Sequence, residues 1–238
     1  MKQLAYSRIL LKLSGEQLAG DYDGGLDPKL IVWIANEIKA AVSAGAEVVV
    51  MVGGGNYIRG AQIAGHGITR VTGDFMGMLG TMINGLAVAD VFNSSGLESR
   101  VLTSVQVDQM ADYFTQRRAF NHLKKGRVVI IAGGTGRPYL TTDTAAVNLA
   151  LELDCQGVFK VTKVDGVYDK DPAKHKDTKH LAHISFQQAL EDPNIKVMDK
   201  AAIGLAMEHA MPVVVFDLHR EDNIRRAVLG ESIGTIIS

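Results

Sequence analysis

Short apolar runs alternate with longer amphipathic segments along the whole chain. The runs at 46–52, 127–132, 158–162 and 212–216 are rich in valine and isoleucine, which is the composition of strands buried on both faces. In the segments between them, apolar residues recur every three or four positions, as expected of helices with one buried face. Since helices connect the strands, the pattern predicts an α/β fold with a largely parallel sheet.

The segment at 28–44 carries the clearest helix boundaries. Asp27 and Pro28 form a start signal, and Gly45 follows the last residue of the apolar face. The same reasoning predicts helices at about 72–92, 112–125, 142–153, 185–192, 199–210 and 221–229, strands near 100–103 and 233–237, and turns from 163 to 172. Because no linker or internal repeat interrupts this order, we expect residues 1–238 to form a single domain.

Three apolar runs end in loops of glycine and small polar residues. They are LLKLSGE at 10–16, VVVMVGGGN at 48–56 and VVIIAGGTGRPYLTTD at 128–143. Loops of this kind expose backbone N–H groups at strand ends, where they can surround phosphate oxygens. Lys12 lies in the first loop region, Arg59 follows the second, and Asp143 ends the third. Together the three loops predict a site for more than one phosphorylated ligand.

Each of these charged residues also has a purely structural interpretation. Lys12 could face solvent from an edge strand, although the Ser14–Gly15 turn after it favours a ligand. Arg59 could be a solvated loop charge, although its forked guanidinium suits phosphate. Asp143 could cap the helix that begins in TTDTAA or organise a reaction centre, and the two roles are compatible.

Composition narrows the classes of function. The net charge is −1 and the basic residues are scattered, which argues against binding to nucleic acid or an anionic membrane. We find no signal peptide and no apolar run of spanning length, so we expect a cytoplasmic protein without a membrane partner. The single cysteine, Cys155, excludes an internal disulfide and is predicted to be a small buried residue, not a nucleophile.

Common nucleotide and metal motifs are absent from the sequence. Neither the P-loop pattern GxxxxGK[ST] nor the dinucleotide pattern GxGxxG occurs. The aspartates of KVDGVYDKDP lack the spacing and closing glutamate of a calcium loop, and the histidines between 175 and 183 lack a zinc-binding frame. We therefore predict no metal held by side chains alone. The methionine-rich helix at about 75–92 suits either the core or a subunit interface.

Six sequence blocks, in order, resemble the bacterial UMP kinases of the amino acid kinase superfamily. They are RILLKLSGE at 8–16, GGGNYIRG at 53–60, GDFMGMLGTMING at 73–85, GTGRPYLTTD at 134–143, TKVDGVYDKDP at 162–172 and KVMDKAA at 196–202. The resemblance implies a three-layer αβα sandwich of the carbamate kinase-like fold and assembly as a homohexamer. It also implies reversible transfer of the γ-phosphoryl group of ATP to UMP with Mg²⁺, in pyrimidine nucleotide biosynthesis, with GTP and UTP as possible effectors.

The resemblance assigns site residues by position. Lys12 and Asp143 would be catalytic, and Asp74 would accept hydrogen bonds from the ribose hydroxyls of UMP. The residues that meet ATP would be Lys12, Leu13, Ser14, Gly15, Gly55, Arg59, Thr162, Tyr168 and Asp171. The residues that meet UMP would be Gly54, Asp74, Thr135, Gly136, Arg137, Pro138, Tyr139, Leu140, Thr141 and Thr142.

The third loop departs most from the family pattern. Arg137 replaces the usual asparagine, and Tyr139 and Leu140 replace two phenylalanines. Arg137 either adds a phosphate contact or points outward. Gly80 replaces a usual alanine, which we interpret as neutral for packing. The segment at 20–25 lies where relatives respond to GTP, and its divergent sequence leaves regulation open.

Two other functions are compatible with the same fold. One is a kinase that acts on carbamate or on an amino acid carboxylate, which the GTG and TTD block disfavours. The other is a nucleotide-binding storage or regulatory protein that has lost catalysis. Lys12, Asp143 and the TKVDGVYDKDP block argue against that second alternative.

Overall fold

The computed structural model describes residues 3–63, 67–170, 172, 174–175 and 177–238, in which strands and helices alternate. The strands are β1 (Arg8–Leu13), β2 (Glu47–Val52), β3 (Ser99–Thr103), β4 (Asp112–Tyr113), β5 (Val128–Ala132), β6 (Val158–Thr162), β7 (Val167–Tyr168), β8 (His180–Leu181), β9 (His183–Ile184), β10 (Val213–Asp217) and β11 (Thr235–Ile237). The helices are α1 (Gly15–Leu18), α2 (Pro28–Ser43), α3 (Gly60–Ile63), α4 (Arg70–Ser94), α5 (Gln116–Leu123), α6 (Thr142–Glu152), α7 (Phe186–Glu191), α8 (Lys200–Glu208) and α9 (Asn223–Val228).

Within the described residues, nine strands form one sheet. Their order is β4-β3-β5-β2-β1-β6-β10-β11-β9, and β7 pairs with β8 in a separate ribbon. Neighbouring strands of the large sheet run parallel except β10 and β11, which are antiparallel. The predicted α/β fold with a largely parallel sheet is therefore confirmed.

Helices cover both faces of this sheet. One core cluster includes Ile34 of α2 and Phe92 of α4, and the other includes Val147 of α6 and Ile203 of α8. Strand β1 contributes alternate residues to the two clusters, as expected when a central strand is buried on both faces. The result is the expected three-layer αβα arrangement.

Local signals set most helix ends as predicted. The Asp27 side chain caps α2 by accepting from backbone N–H groups of its first turn, and Pro28 is the first helical residue. The predicted start of the helix at 112–125 is wrong, because the first two residues of that range form β4, which pairs with β3. Thr115 caps α5 by accepting from the Arg118 N–H at 3.2 Å, so that helix begins after the strand.

Helix α4 is long and apolar enough, by length and composition alone, to cross a membrane. It has 25 residues, and an 18-residue window within it is apolar with at most two charged side chains, so our prediction that no segment approaches spanning length was wrong. Half of that window is buried inside the fold, where Met78 and Met82 belong to the core. Phe75, Leu79 and Ile83 are exposed on another face. The core interpretation is therefore confirmed for one face of this helix, and the interface interpretation stays a prediction for the exposed face.

Backbone packs directly on backbone where the second glycine loop meets α4. A Cβ atom at Gly54 would lie 2.6 Å from the Gly77 carbonyl oxygen and 2.9 Å from the Thr81 nitrogen. A Cβ atom at Gly80 would lie 3.2 Å from the Gly54 oxygen, which is a tight contact but a longer one than either contact at Gly54. An added methyl group therefore fits much less well at position 54 than at position 80.

We therefore expect Gly54→Ala to lower the free energy of unfolding by about 1–3 kcal/mol, because the added methyl group forces the loop away from α4. Gly80→Ala is the matched control. Its tight contact is offset by the helix propensity of alanine, which exceeds that of glycine by about 1 kcal/mol. Urea unfolding measures both variants, and a wild-type midpoint for Gly54→Ala would contradict the packing argument.

Candidate active site

The carboxyl ends of the central strands meet at one edge of the sheet and open into a cavity of about 980 Å³. The chain leaves β1 toward β2 on one side and reaches β6 on the other, so the cavity lies at the point where strand order reverses. Ligands of open α/β sheets bind at such points. Its wall includes the predicted residues Lys12, Ser14, Gly15, Gly54, Gly55, Arg59, Asp74, Thr135, Leu140, Thr141, Thr142, Asp143 and Thr162.

Two lysines lie side by side at this edge. Lys12 of β1 is the direct register partner of Lys160 of β6, and both side chains are largely buried. Because β1 lies between β2 and β6, the interpretation of Lys12 as a solvent-facing edge residue is wrong. Our sequence reasoning missed Lys160. The signal was present, since a lysine interrupts the apolar run VFKVT as Lys12 interrupts LLKLS.

Asp143 joins the two lysines. Its Oδ1 lies 2.8 Å from the Lys12 ammonium, and its Oδ2 lies 2.8 Å from that of Lys160. The residue that caps α6 is Thr141, whose hydroxyl accepts from the Asp143 N–H at 3.0 Å. The cap interpretation of the Asp143 carboxylate is therefore wrong, and its carboxylate instead bridges the two cations.

Burial and charge act in opposite directions on this cluster. Burial alone would raise the pKa of the Asp143 carboxyl, but the positive charges of Lys12 and Lys160 outweigh it and hold that pKa below its ordinary value of 3.8. Burial lowers the pKa of Lys160, and the charge of Asp143 opposes that shift. The cluster therefore contains an ionised carboxylate between two lysine side chains, an arrangement that can bind an anionic ligand.

The segment before α8 contacts the site through Asp199 and Val197. Both oxygens of Asp199 accept from the Thr144 hydroxyl at 3.0 Å, and one also accepts from the Thr141 hydroxyl. The Lys160 ammonium donates to the Val197 carbonyl in the same segment. The KVMDKAA block at 196–202 contains both Val197 and Asp199, and its motif alone predicted no role for them. In the structure it holds the start of α6 and one of the paired lysines.

An amide pair fixes the second glycine loop. The Asn56 side chain donates to Asn84 at 2.9 Å, and the buried Asn84 side chain donates back at 2.7 Å. Asn84 also donates to the Gly53 carbonyl at 2.6 Å, and Asn56 to the Gly25 carbonyl at 2.6 Å. Helix α4 thus holds this loop, and the loop contacts the 20–25 segment in turn.

The third loop is also tied to α4. The Thr81 hydroxyl accepts from the Gly133 N–H at 2.7 Å, and Asp74 accepts from the Tyr139 N–H at 2.8 Å. The Arg70 Nε lies 2.9 Å from each Asp74 oxygen. The carboxylate expected to face a ribose is therefore already held by two donors of the protein.

Part of the predicted ATP set lies away from the cavity wall. The Leu13 side chain is buried in the core, so only its backbone is left for a ligand. The Tyr168 hydroxyl donates to Asp165 outside the wall. Asp171 lies outside the described residues. Arg59 lines the cavity, but its guanidinium is paired with Glu16, and a phosphate would have to compete for it.

Part of the predicted UMP set also lies off the wall. Residues 136–139 do not line the cavity, although the flanking Thr135 and Leu140 do. Arg137 is exposed, and only its backbone groups bond to the Thr135 hydroxyl. This geometry favours the outward orientation of Arg137 over a phosphate contact.

In the part of the chain that the structure describes, no three His, Cys, Asp or Glu side chains converge on a possible metal position. Of the two carboxylates nearest the lysine pair, Asp143 bonds lysines and Asp199 bonds hydroxyl groups. A divalent cation would therefore need phosphate oxygens among its ligands. Magnesium commonly binds in this way, with few protein ligands and several from a substrate.

Cys155 is not suited to act as a nucleophile. Cys155 is buried, and burial raises the pKa of its thiol to about 12. A thiol with such a pKa is protonated near neutrality and does not attack electrophiles. The prediction of a small buried residue is confirmed.

Known proteins resemble the chain over its full length. A family model described as the amino acid kinase family matches residues 7–217. A uridylate kinase from Dichelobacter nodosus (strain VCS1703A) is 47% identical over 232 residues, which cover 98% of this chain and 96% of that protein. A uridylate kinase from Xanthomonas oryzae pv. oryzae (strain KACC10331 / KXO85) is 45% identical over 237 residues, which cover 100% and 98%. The crystal structure of UMP kinase from Bacillus anthracis has a TM-score of 0.92 at 38% identity and covers 98% of this chain and 96% of its own.

We expect Asp143→Asn to lower the free energy of unfolding at pH 7 by roughly 3–5 kcal/mol, because it leaves two adjacent buried ammonium groups without a counter-charge. The folded pKa of Asp143 lies below 3.8, so its stabilisation is fully present above that value and is lost as the pH falls through the folded pKa. The difference between wild type and variant should therefore shrink in acid.

Denaturant unfolding between pH 7 and pH 3 measures this difference. Asp112→Asn, which changes an exposed carboxylate, is the control and should show little difference from wild type at any pH. A gap between wild type and Asp143→Asn that stays constant with pH would contradict the proposed charge pairing.

Proposed function

The chain belongs to the amino acid kinase family, and from that premise we propose that it is a UMP kinase, which reversibly transfers the γ-phosphoryl group of ATP to UMP. The proposal draws on relatives named uridylate kinase at 47% and 45% identity. The observation that carries the chemistry is the Lys12–Asp143–Lys160 cluster in the wall of a cavity of about 980 Å³. Such a reaction belongs to pyrimidine nucleotide biosynthesis.

The reaction needs no general base from the protein. The second pKa of a phosphate monoester is about 6, so UMP is mostly a dianion near neutrality and its oxygen can attack directly. The bond from the γ-phosphorus to the bridging oxygen of ATP breaks as the new bond to UMP forms, and ADP leaves. What the protein must supply is alignment of the two nucleotides and neutralisation of charge on the transferred group.

The lysine cluster supplies that neutralisation. Lys12 and Lys160 extend into the cavity from register-paired positions on neighbouring strands, and we assign both to the oxygens of the transferred phosphoryl group. The Asp143 carboxylate lies between the two lysine nitrogens, 2.8 Å from each, and its negative charge opposes the lowering of the Lys160 pKa by burial. The first glycine loop would hold the ATP phosphates, and the third loop would receive UMP.

We propose that ATP enters with Mg²⁺. When bound, the ion would help to neutralise the negative charge of the ATP phosphates. The described residues offer no side-chain cluster for a metal, so we assign its ligands mainly to phosphate oxygens.

We also propose that the chain forms a homo-oligomer, a hexamer by resemblance, through the outer face of α4. Phe75, Leu79 and Ile83 are 45%, 54% and 49% exposed and follow each other at helical spacing. Leu79→Glu should reduce the assembly to smaller species in size-exclusion chromatography with light scattering. Met207→Glu, at an exposed apolar residue of α8, is the control. A wild-type mass for Leu79→Glu would argue against this interface.

Other expectations of the resemblance remain proposals. The sheet draws strands from both halves of the chain, which supports one domain over residues 1–238. A buried free thiol at Cys155 is compatible with a cytoplasmic location. Control by GTP or UTP remains a prediction.

A coupled ADP-release assay with UMP, CMP, carbamate and acetylglutamate tests the function. We expect turnover with UMP, and a loss of at least about 10²-fold in Lys12→Ala, because one cation at the transferred group is removed. UMP binding measured by calorimetry should change little in that variant. Lys29→Ala, at the exposed start of α2, is the matched control. Activity with none of the acceptors would favour a binding protein, and near-normal turnover in Lys12→Ala would remove Lys12 from the mechanism.

A further inference from the structure

Arg70 contacts two parts of the proposed acceptor site, although the proposed reaction assigns it no role. It is the first residue of α4 and lies in the cavity wall. Its Nε donates to both oxygens of Asp74 at 2.9 Å. Its guanidinium carbon also lies 5.5 Å from the ring centroid of Tyr139 in the third loop. One side chain thus contacts the carboxylate proposed for the acceptor ribose and the loop proposed to receive the acceptor.

Tyr139 has a backbone conformation that residues other than glycine rarely adopt. Its φ angle is 67°, in the left-handed region, and its side chain is 66% exposed, so core packing does not hold it there. Two contacts from α4 hold Tyr139 in this conformation instead. Its N–H donates to Asp74 at 2.8 Å, and its ring faces the Arg70 guanidinium. A charge-assisted hydrogen bond and a cation–π contact together oppose the backbone strain.

The Asp74 carboxylate has little freedom to reorient. Its side chain is 12% exposed, and Arg70 holds both of its oxygens. Its Oδ1 also lies against Gly60, where an added Cβ atom would approach it to 2.7 Å. The same carboxylate therefore has a fixed orientation when it accepts from the loop.

We propose that Arg70, Asp74 and Tyr139 form a clasp that positions the third loop at the acceptor side of the site, with Arg70 as a positioning residue. The inference rests on the proposed function for the identity of the acceptor. Arg70 orients the Asp74 carboxylate and holds the aromatic ring at position 139. Because a cation binds the face of either ring, tyrosine and phenylalanine serve equally at position 139, and an aliphatic residue does not.

Hydrogen–deuterium exchange on the full-length, ligand-free protein tests the clasp. The peptide covering 135–142 reports the Tyr139 amide. We expect Arg70→Met and Tyr139→Leu to speed its exchange roughly tenfold, because each removes one partner of the clasp. Tyr139→Phe is the matched control and should exchange like wild type. Arg70→Lys keeps the charge without the fork and should give an intermediate rate.

Steady-state kinetics with UMP provides the second measurement. Arg70→Met and Tyr139→Leu should raise KM for UMP roughly tenfold and leave kcat within about twofold, since neither side chain touches the transferred group. Tyr139→Phe should raise KM less than Tyr139→Leu does, and Lys29→Ala, on α2 and outside the cavity wall, should keep the wild-type KM. A purely structural role would lower kcat and thermal stability together in both variants. If Arg70→Met does not fold, Tyr139→Leu, at an exposed ring, decides the question.

Unchanged exchange at 135–142 in the folded variants would overturn the clasp. Faster exchange with an unchanged KM for UMP would overturn the positioning role. The exchange measurement needs no substrate, so a failure of the proposed function appears separately, as absence of UMP turnover in the wild-type protein.

Discussion

Two buried ammonium groups on neighbouring strands must be neutralised, and the arrangement of the site depends on this constraint. Lys12 and Lys160 are register partners, and like charges placed opposite each other on a sheet repel. Asp143 relieves the repulsion only if α6 begins at one position above the strand ends. Thr141 caps that helix, and Asp199 holds Thr141 from the segment before α8. The position of the end of the third loop therefore depends on the ion pairs that Asp143 forms with Lys12 and Lys160.

Helix α4 is the second organising element. It holds the second glycine loop through Asn84 and the third through Thr81 and Asp74. The second and third glycine loops are therefore both held by one helix. Close backbone packing at Gly54 leaves no room for the loop to move toward that helix. The opposite face carries exposed apolar side chains, so the same helix connects the site with the proposed subunit interface.

Sequence reasoning succeeded where the signal was local and failed where a distant neighbour decided the outcome. Asp27 and Pro28 specify the start of α2 from within one turn. The predicted start of the helix at 112 was wrong because β3 offered a pairing edge that no local pattern reveals. Lys160 was missed because a lysine in a strand usually faces solvent, and only the register beside Lys12 shows that it does not. The side-chain pairing of Arg59 with Glu16 was equally invisible.

The sequence by itself determined the order of strands and helices, the three glycine loops and the family, because periodicity, caps and motif blocks are properties of short segments. Tertiary structure decided which side chains share a site. It brought Lys12, Asp143 and Lys160 together and gave Asp199 a role. It also set Arg70 and Tyr139 against one carboxylate. Those contacts depend on strand register and loop docking between segments far apart in the chain, which local sequence patterns do not encode.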